Sequence, residues 1–280
     1  MFVIENDKCK AKIKARGAEL CSFIRKEDEK EYIWQADPKY WNRHAPTLFP
    51  IVGTLNPERG IKMGRHGFAR DMEFTCIDHK KDKISLELLS TDQTRAMYPY
   101  DFKLIISYEL EGTSVKIAYF VENKGGQSMP FSIGAHPAFP CDLGGGCVVL
   151  EFEQEEDLSC LTLDLEKGLL DGKAYEIPMR GRELPLTLNT FDKDALVFKG
   201  LKSNWIKLKD TSSNFELKVN FEGFPYMGIW SPGAPFICIE PWYGVTDNLR
   251  DAGPLYNKEG IINLEVNGAF RAEHKITMIS

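Results

Sequence analysis

The chain has no run near the ~18 consecutive apolar residues of a membrane-spanning helix. Its first residues, Met1-Phe2-Val3-Ile4-Glu5-Asn6, reach a charge too early for the layout of a secretory signal. The seven cysteines (Cys9, Cys21, Cys76, Cys141, Cys147, Cys160 and Cys238) are an odd number without a Cys-x-x-Cys pair. Scattered, reduced thiols and a cytoplasmic location are therefore expected. Positive charge is also short: 35 Lys and Arg against 41 Asp and Glu leave a net −6. That balance excludes nucleic acid or an anionic membrane as the main partner, since both require a basic face. A local basic pocket is still compatible with it, so phosphorylated substrates stay open. No Gly-x-Ser-x-Gly elbow is present to carry a nucleophilic serine. No glycine fingerprint at a strand-to-helix turn is present to cradle a phosphate or dinucleotide, and Gly144-Gly145-Gly146 reads as a flexible turn.

What fills the 280 residues is alternation with period two. Cys9 to Ala15, Lys83 to Leu88, Phe102 to Leu110, Ser114 to Val121, Trp205 to Lys209, Phe215 to Phe221 and Lys275 to Ile279 each present one apolar and one polar face. Turn signals separate them, as at Glu111-Gly112-Thr113, which closes a hairpin spanning Tyr108 to Val115. Helical candidates are few and short, Asp37 to Trp41 and Asp92 to Met97. With no repeat, low-complexity tract or long linker, the expectation is one all-β domain over residues 1–280, a large antiparallel β-sandwich.

Three segments break the alternation. Trp41 to Gly53 is apolar from Ala45 onward, yet Pro46 and Pro50 forbid a regular central strand, which suggests a cavity wall. Shortly after it, His66-Gly67-Phe68-Ala69-Arg70-Asp71 sets two bases and an acid around a glycine, a polar pocket edge. In Met129 to Pro140, His136 is the only polar side chain between Gly134 and Pro140. A lone buried histidine commonly does no more than bond a carbonyl, but Pro137 stiffens this one, and a fixed imidazole suits proton transfer. In Pro235 to Gly244, Glu240 follows a buried run and precedes proline and two aromatics. There a carboxylate should have a raised pKa, as a general base requires. Trp242, two residues on, could stack on the C–H face of a sugar.

Other chemistries fit less well. No cysteine sits in an electropositive setting that favours the thiolate, and Cys238 reads as core. A zinc site from His44, His66 and His136 lacks the usual ligand spacing, so no metal is expected. Glycoside hydrolysis needs two flanking carboxylates, and the partners available to Glu240, Asp192 and Asp194, lie in ordinary segments. The pair His136 and Glu240 in an aromatic pocket remains.

In these same segments (Ala45 to Gly53, His66 to Asp71, Gly134 to Phe139 and Cys238 to Trp242) the sequence resembles the galactose mutarotase-like, aldose 1-epimerase superfamily, in particular its LacX-like bacterial branch. The resemblance implies a β-sandwich that binds an aldohexose in an open cleft, as a monomer or homodimer without cofactor. It implies that His136 protonates the ring oxygen, that Glu240 takes the C1 hydroxyl proton and that His66 hydrogen-bonds the sugar. Arg43, or else Arg70, matches a substrate-binding arginine, and Asp194, or else Asp192, a substrate-binding aspartate. Gly-Ala-His-Pro departs from the Asn-rich segment around the histidine of the better-known galactose mutarotases, which leaves the sugar open. One rival is a hexose-6-phosphate 1-epimerase with Arg43, His44, Arg65 and Arg70 at the cleft. The other is a carbohydrate-binding or regulatory protein without turnover.

Overall fold

The alternating segments pair as antiparallel strands in a computed structural model that describes residues 1–279. A nine-stranded sheet runs in space from Glu183–Leu186 through Val148–Phe152, Trp205–Asp210, Phe215–Asn220, Ala269–Met278, Ser114–Asn123, Phe102–Glu111 and Lys83–Leu89 to Thr75–His79. The strand Phe102–Glu111 buries every second residue. Phe102, Leu104, Ile106, Tyr108 and Leu110 point inward while their neighbours are half-exposed or exposed. The hairpin expected at Gly112-Thr113 forms, with Glu111 opposite Ser114.

An eight-stranded sheet faces it across a shared core. Its order is Leu169–Glu176, Ser159–Asp164, Leu196–Lys199, Tyr226–Trp230, Phe236–Tyr243, Ile133–Ala135 and Thr47–Leu48, and Ala138–Pro140 also pairs with Phe236–Tyr243. Ile237 and Ile239 join the main core, which the opposite sheet shares through Leu104 and Ile106. Phe236, Cys238, Glu240 and Trp242 occupy the other face of their strand, buried among aromatics. Two smaller sheets complete the architecture, one of four strands within residues 2–31 and one joining Met129–Phe131 to Ile262–Leu264. This is the antiparallel β-sandwich of the sequence expectation.

Asp92–Met97 is the α-helix of the described residues, started by a Thr91–Thr94 capping box. Asp37 to Trp41 is not helical. It makes one turn, with the Tyr40 and Trp41 N–H groups both donating to the Asp37 carbonyl. The Trp41 carbonyl instead accepts from the Trp34 indole at 3.0 Å, so it is not available to extend a helix. Among the described residues no helix is long and apolar enough to cross a membrane.

His274 is enclosed between the sheets, parallel to the Tyr119 ring at 5.7 Å, with Nδ1 lacking a hydrogen-bond partner. Burial lowers its pKa to about 3, so folding keeps it neutral where the unfolded chain takes up a proton. Its contribution to stability is complete above pH ~6.5 and is lost as pH falls toward 3, by up to about 1.4 kcal/mol per pH unit. Melting temperatures from pH 7 to 5 should therefore fall more steeply for the wild type than for His274→Phe. Parallel curves would show that His274 is not the responsible group.

Candidate active site

The site is built on a gap in a sheet ladder. On one side, Phe236–Tyr243 pairs without a break with Tyr226–Trp230. On its other side lie two short strands, Ile133–Ala135 and Ala138–Pro140. The register does not shift between them: Gly134 faces Trp242 and Ala138 faces Cys238, which sets His136 opposite Glu240. Pro137 and Pro241 have no N–H and remove ladder bonds on either side of this pair. On the Pro137 side the Ile239 N–H still donates to the Pro137 carbonyl at 3.3 Å. The His136 N–H donates to the Pro46 carbonyl at 3.1 Å, and Thr47–Leu48 forms the sheet edge. The proline-broken segment Ala45 to Gly53 thus braces the site from behind, and its side chains do not line the pocket. Because the Pro46 carbonyl faces His136, the N–H that Pro46 lacks would have faced the same strand, and one ladder bond is missing here too.

His136 Nε2 lies 3.3 Å from Glu240 Oε2. Glu240 is 1% exposed and His136 8%. Trp41 stacks on the imidazole at 4.9 Å, Trp230 meets it edge-on at 5.8 Å, and the His66 ring stands 5.6 Å away. The cavity, about 150 Å³, is lined by Trp41, Arg65, His66, Arg70, His136, Ala195, Trp230, Glu240 and Trp242. A larger surface groove of about 740 Å³ beside Tyr98, Tyr100 and Tyr256 contains no acid–base pair of this kind.

Burial raises Glu240 well above the usual carboxylate range. Asp194 adds to this, while Arg65 and the Trp242 indole oppose it. Burial, then the charges of Arg65, Arg70 and Arg43, lowers His136 to about 3. Across a wide pH range the two groups together hold one proton. Burial also pushes His66 well below its ordinary pKa, with His136, Arg65, Arg70 and Arg43 acting in the same direction. The Gly53 N–H donates to His66 Nδ1 at 3.1 Å, so the neutral ring carries its proton on Nε2 and serves as a donor.

The fold brings His136, Glu240, His66, Arg70 and Trp242 to one cavity. It draws Arg43 aside to Asp71 at 2.9 Å, outside the lining. Asp194 is half-buried beside the lining residue Ala195 and acts on Glu240 through its charge, whereas Asp192 is exposed at the end of a short 3-10 turn. His44 turns to Glu19, its N–H donating to Oε1 at 2.7 Å, so the three histidines do not converge. Trp41 and Trp230 were not visible as site residues in the sequence, and Arg65 only as part of a basic cluster. The nearest signal for Arg65 was its place beside His66.

The donor atoms of His136, Cys238 and Glu240 lie within 4.8 Å of one another, a set that could surround a metal ion. Burial and Glu240 hold the Cys238 thiol well above its usual pKa, which works against the thiolate a metal needs.

A two-sheet sandwich with this buried acid–base pair is the frame of a sugar epimerase, and the chain belongs to the aldose 1-epimerase family, whose family model matches residues 1–252. It is similar to protein LacX of Lactococcus lactis subsp. lactis, 33% identical to the plasmid form and 32% to the chromosomal form, each over 99% of both chains. Among solved structures it is similar to a galactose mutarotase-like protein from Lactobacillus casei, with 31% identity, a TM-score of 0.93 and full coverage of both chains. A galactose mutarotase related enzyme from Lactobacillus acidophilus gives 30% identity and a TM-score of 0.91, covering 100% of this chain and 97% of that one.

Trp242 lies flat across its two neighbouring strands because both carry glycine there. A Cβ on Gly228 would come within 2.4 Å of the indole ring, and one on Gly134 within 2.6 Å. Gly228→Ala should tilt the ring into the cavity and lower stability by about 1–3 kcal/mol. Ligand affinity should fall together with the melting temperature. Unchanged affinity in calorimetry would show that Trp242 does not shape the pocket.

Proposed function

We propose that the chain is an aldose 1-epimerase that interconverts the α- and β-anomers of an aldohexose through the open-chain aldehyde. The observation that carries this reading is the 3.3 Å contact between His136 Nε2 and Glu240 Oε2 in a buried pocket. In a cyclic hemiacetal, O1 and the ring oxygen O5 are both bonded to C1 and lie side by side. Two proton-transfer groups side by side match that arrangement.

Glu240, as carboxylate, removes the O1 proton, and His136, as imidazolium, protonates O5. The C1–O5 bond breaks and the carbonyl forms. Rotation about C1–C2 presents the other face, and ring closure returns both protons. Atoms and electrons balance, and no oxidant or covalent intermediate is needed. On this reading the His66 Nε2–H and the Arg70 guanidinium donate hydrogen bonds to sugar oxygens, Trp242 offers an aromatic face, and Asp194 contributes charge beside Glu240; the cavity lining that includes His66, Arg70 and Trp242 supports it. A location in the cytoplasm fits the seven free thiols.

His136→Asn and Glu240→Gln should each lower kcat by roughly 10²–10⁴-fold, the usual share of one positioned proton-transfer group. Polarimetry of freshly dissolved α-glucose and α-galactose, with folding checked by circular dichroism, measures this. Sugar binding without faster mutarotation in the wild type would make the protein a binder instead. The rate should also fall at high pH, as the pair loses its last proton. Because burial raises Glu240, that limb belongs well above pH 4.5. A profile flat from pH 4 to 9 would exclude the pair as the proton-transfer groups.

A further inference from the structure

On the side of the sheet edge, the ladder beside His136 is only half bonded. Carried on from Ala135 opposite Thr47, the register sets His136 opposite Pro46 and Ala138 opposite His44. Each pair would exchange two hydrogen bonds and keeps one. The His136 N–H donates to the Pro46 carbonyl at 3.1 Å, and the Ala138 N–H to the His44 carbonyl at 2.9 Å. Pro46 has no N–H to return, and the Ala138 carbonyl accepts instead from the Trp34 N–H at 2.9 Å. The His44 N–H therefore leaves the ladder. It donates to Glu19 Oε1 at 2.7 Å, and the Ala45 N–H donates to the same oxygen at 3.1 Å.

Glu19 belongs to the small four-stranded sheet, in the turn between Cys9–Ile13 and Leu20–Arg25. It is buried and does not line the cavity. Burial acts to raise its pKa, but hydrogen bonds from His44 and the charge of Lys14, 3.8 Å from Oε2, leave it below the ordinary carboxylate value. A buried carboxylate needs its acceptor oxygens used, and here they serve a stretch that lacks half its ladder bonds. The same turn also reaches the opposite pocket wall. Gly17 N–H donates to the Met72 carbonyl at 2.7 Å, and a Cβ on Gly17 would come within 2.7 Å of the Arg70 carbonyl oxygen.

On the reading of His136 as the proton donor, we infer that Glu19 is a positioning residue for this histidine: its carboxylate fixes residues 44 and 45, and the carbonyls of residues 44 and 46 then hold the main chain on either side of Pro137. Without Glu19 two N–H groups lose their acceptor, and the segment shifts to find another. His136 moves with it, although no lining residue has changed. Trp41 and Arg43, earlier in the same segment, have anchors of their own in the Trp34 indole and Asp71, so the displacement centres on residues 44–46. Proton transfer depends more steeply on donor geometry than sugar binding does, so the loss falls on kcat.

Glu19→Ala, Glu19→Asp and Glu19→Gln are assayed by polarimetry with α-glucose and α-galactose, below the lowest melting temperature of the set. Leu217→Ala, a truncation in the core of the nine-stranded sheet, serves as a destabilised control far from the segment. Glu19→Ala should lose about 10–100-fold in kcat, with KM within about threefold of the wild type. Glu19→Gln keeps an oxygen that accepts both N–H groups and should recover most of the rate. Glu19→Asp keeps the charge but withdraws it by one methylene, and should fall below Glu19→Gln. Leu217→Ala should keep its kcat. Unchanged kcat in Glu19→Ala, or an equal loss in Leu217→Ala, would overturn the inference. Should Glu19→Ala fail to fold, the order of Glu19→Gln above Glu19→Asp decides, and the reverse order refutes it. If the wild type turns over no sugar, the epimerase reading fails separately, and the ¹⁵N resonances of the His136 ring, assigned with His136→Asn, decide the positioning role. Signals that move in Glu19→Ala and return in Glu19→Gln support it, and signals that stay in place refute it.

Discussion

Everything at the pocket depends on two prolines set diagonally across one ladder, Pro137 on one strand and Pro241 on the other. Pro137 and Pro241 remove hydrogen bonds from a central position of the eight-stranded sheet while the register continues unshifted. His136 and Glu240 stand opposite one another between the lost bonds. The alternating hydrogen-bond pattern makes them a non-hydrogen-bonded pair, in which facing side chains approach most closely. The strand Tyr226–Trp230 on one flank and the Pro46 carbonyl on the other then hold the weakened ladder. The two ionisable groups are positioned by backbone pairing, with little left to side-chain freedom.

Burial gives this geometry its chemical character. In water a carboxyl and an imidazole would differ by about two pKa units, with the carboxyl the stronger acid. Here burial pushes the carboxyl up and the imidazole down, which inverts that order: the shared proton rests on Glu240, and the imidazolium forms only at a cost. Arg65 lowers the proton affinity of both partners, and Arg70 and Arg43 lower that of His136 as well. Arg65 favours the Glu240 carboxylate and disfavours the His136 imidazolium. The charge in the pocket therefore governs the proton affinity of each group. His66 is outside this exchange, because the Gly53 N–H fixes its tautomer.

Period-two alternation made the strands and the sandwich legible in the sequence, since it records which face of a strand is buried. It does not record which strand lies beside which, so the ladder gap and the facing of residues 136 and 240 could not be read from it. His136 and Glu240 stood out as candidates because an ionisable residue before a proline in an apolar run is unusual. Trp41 carried no comparable signal: its contact with His136 arises from a turn that resembled a short helix in sequence. The choice between Arg43 and Arg70 was hidden for a related reason. Arg70 is the one that precedes Asp71 in the chain, but Asp71 engages Arg43 more closely, and only the folded chain reveals it.

The neighbours in the site are far apart along the chain. Thr47 pairs with Ala135, Gly134 with Trp242, and Tyr226 with Trp242 in turn. Such non-local closures come late and slowly, because chain entropy is lost before the contacts reward it. The pocket thus has no precursor in any single hairpin, and a ribosome must release nearly the whole polypeptide before the pocket can close.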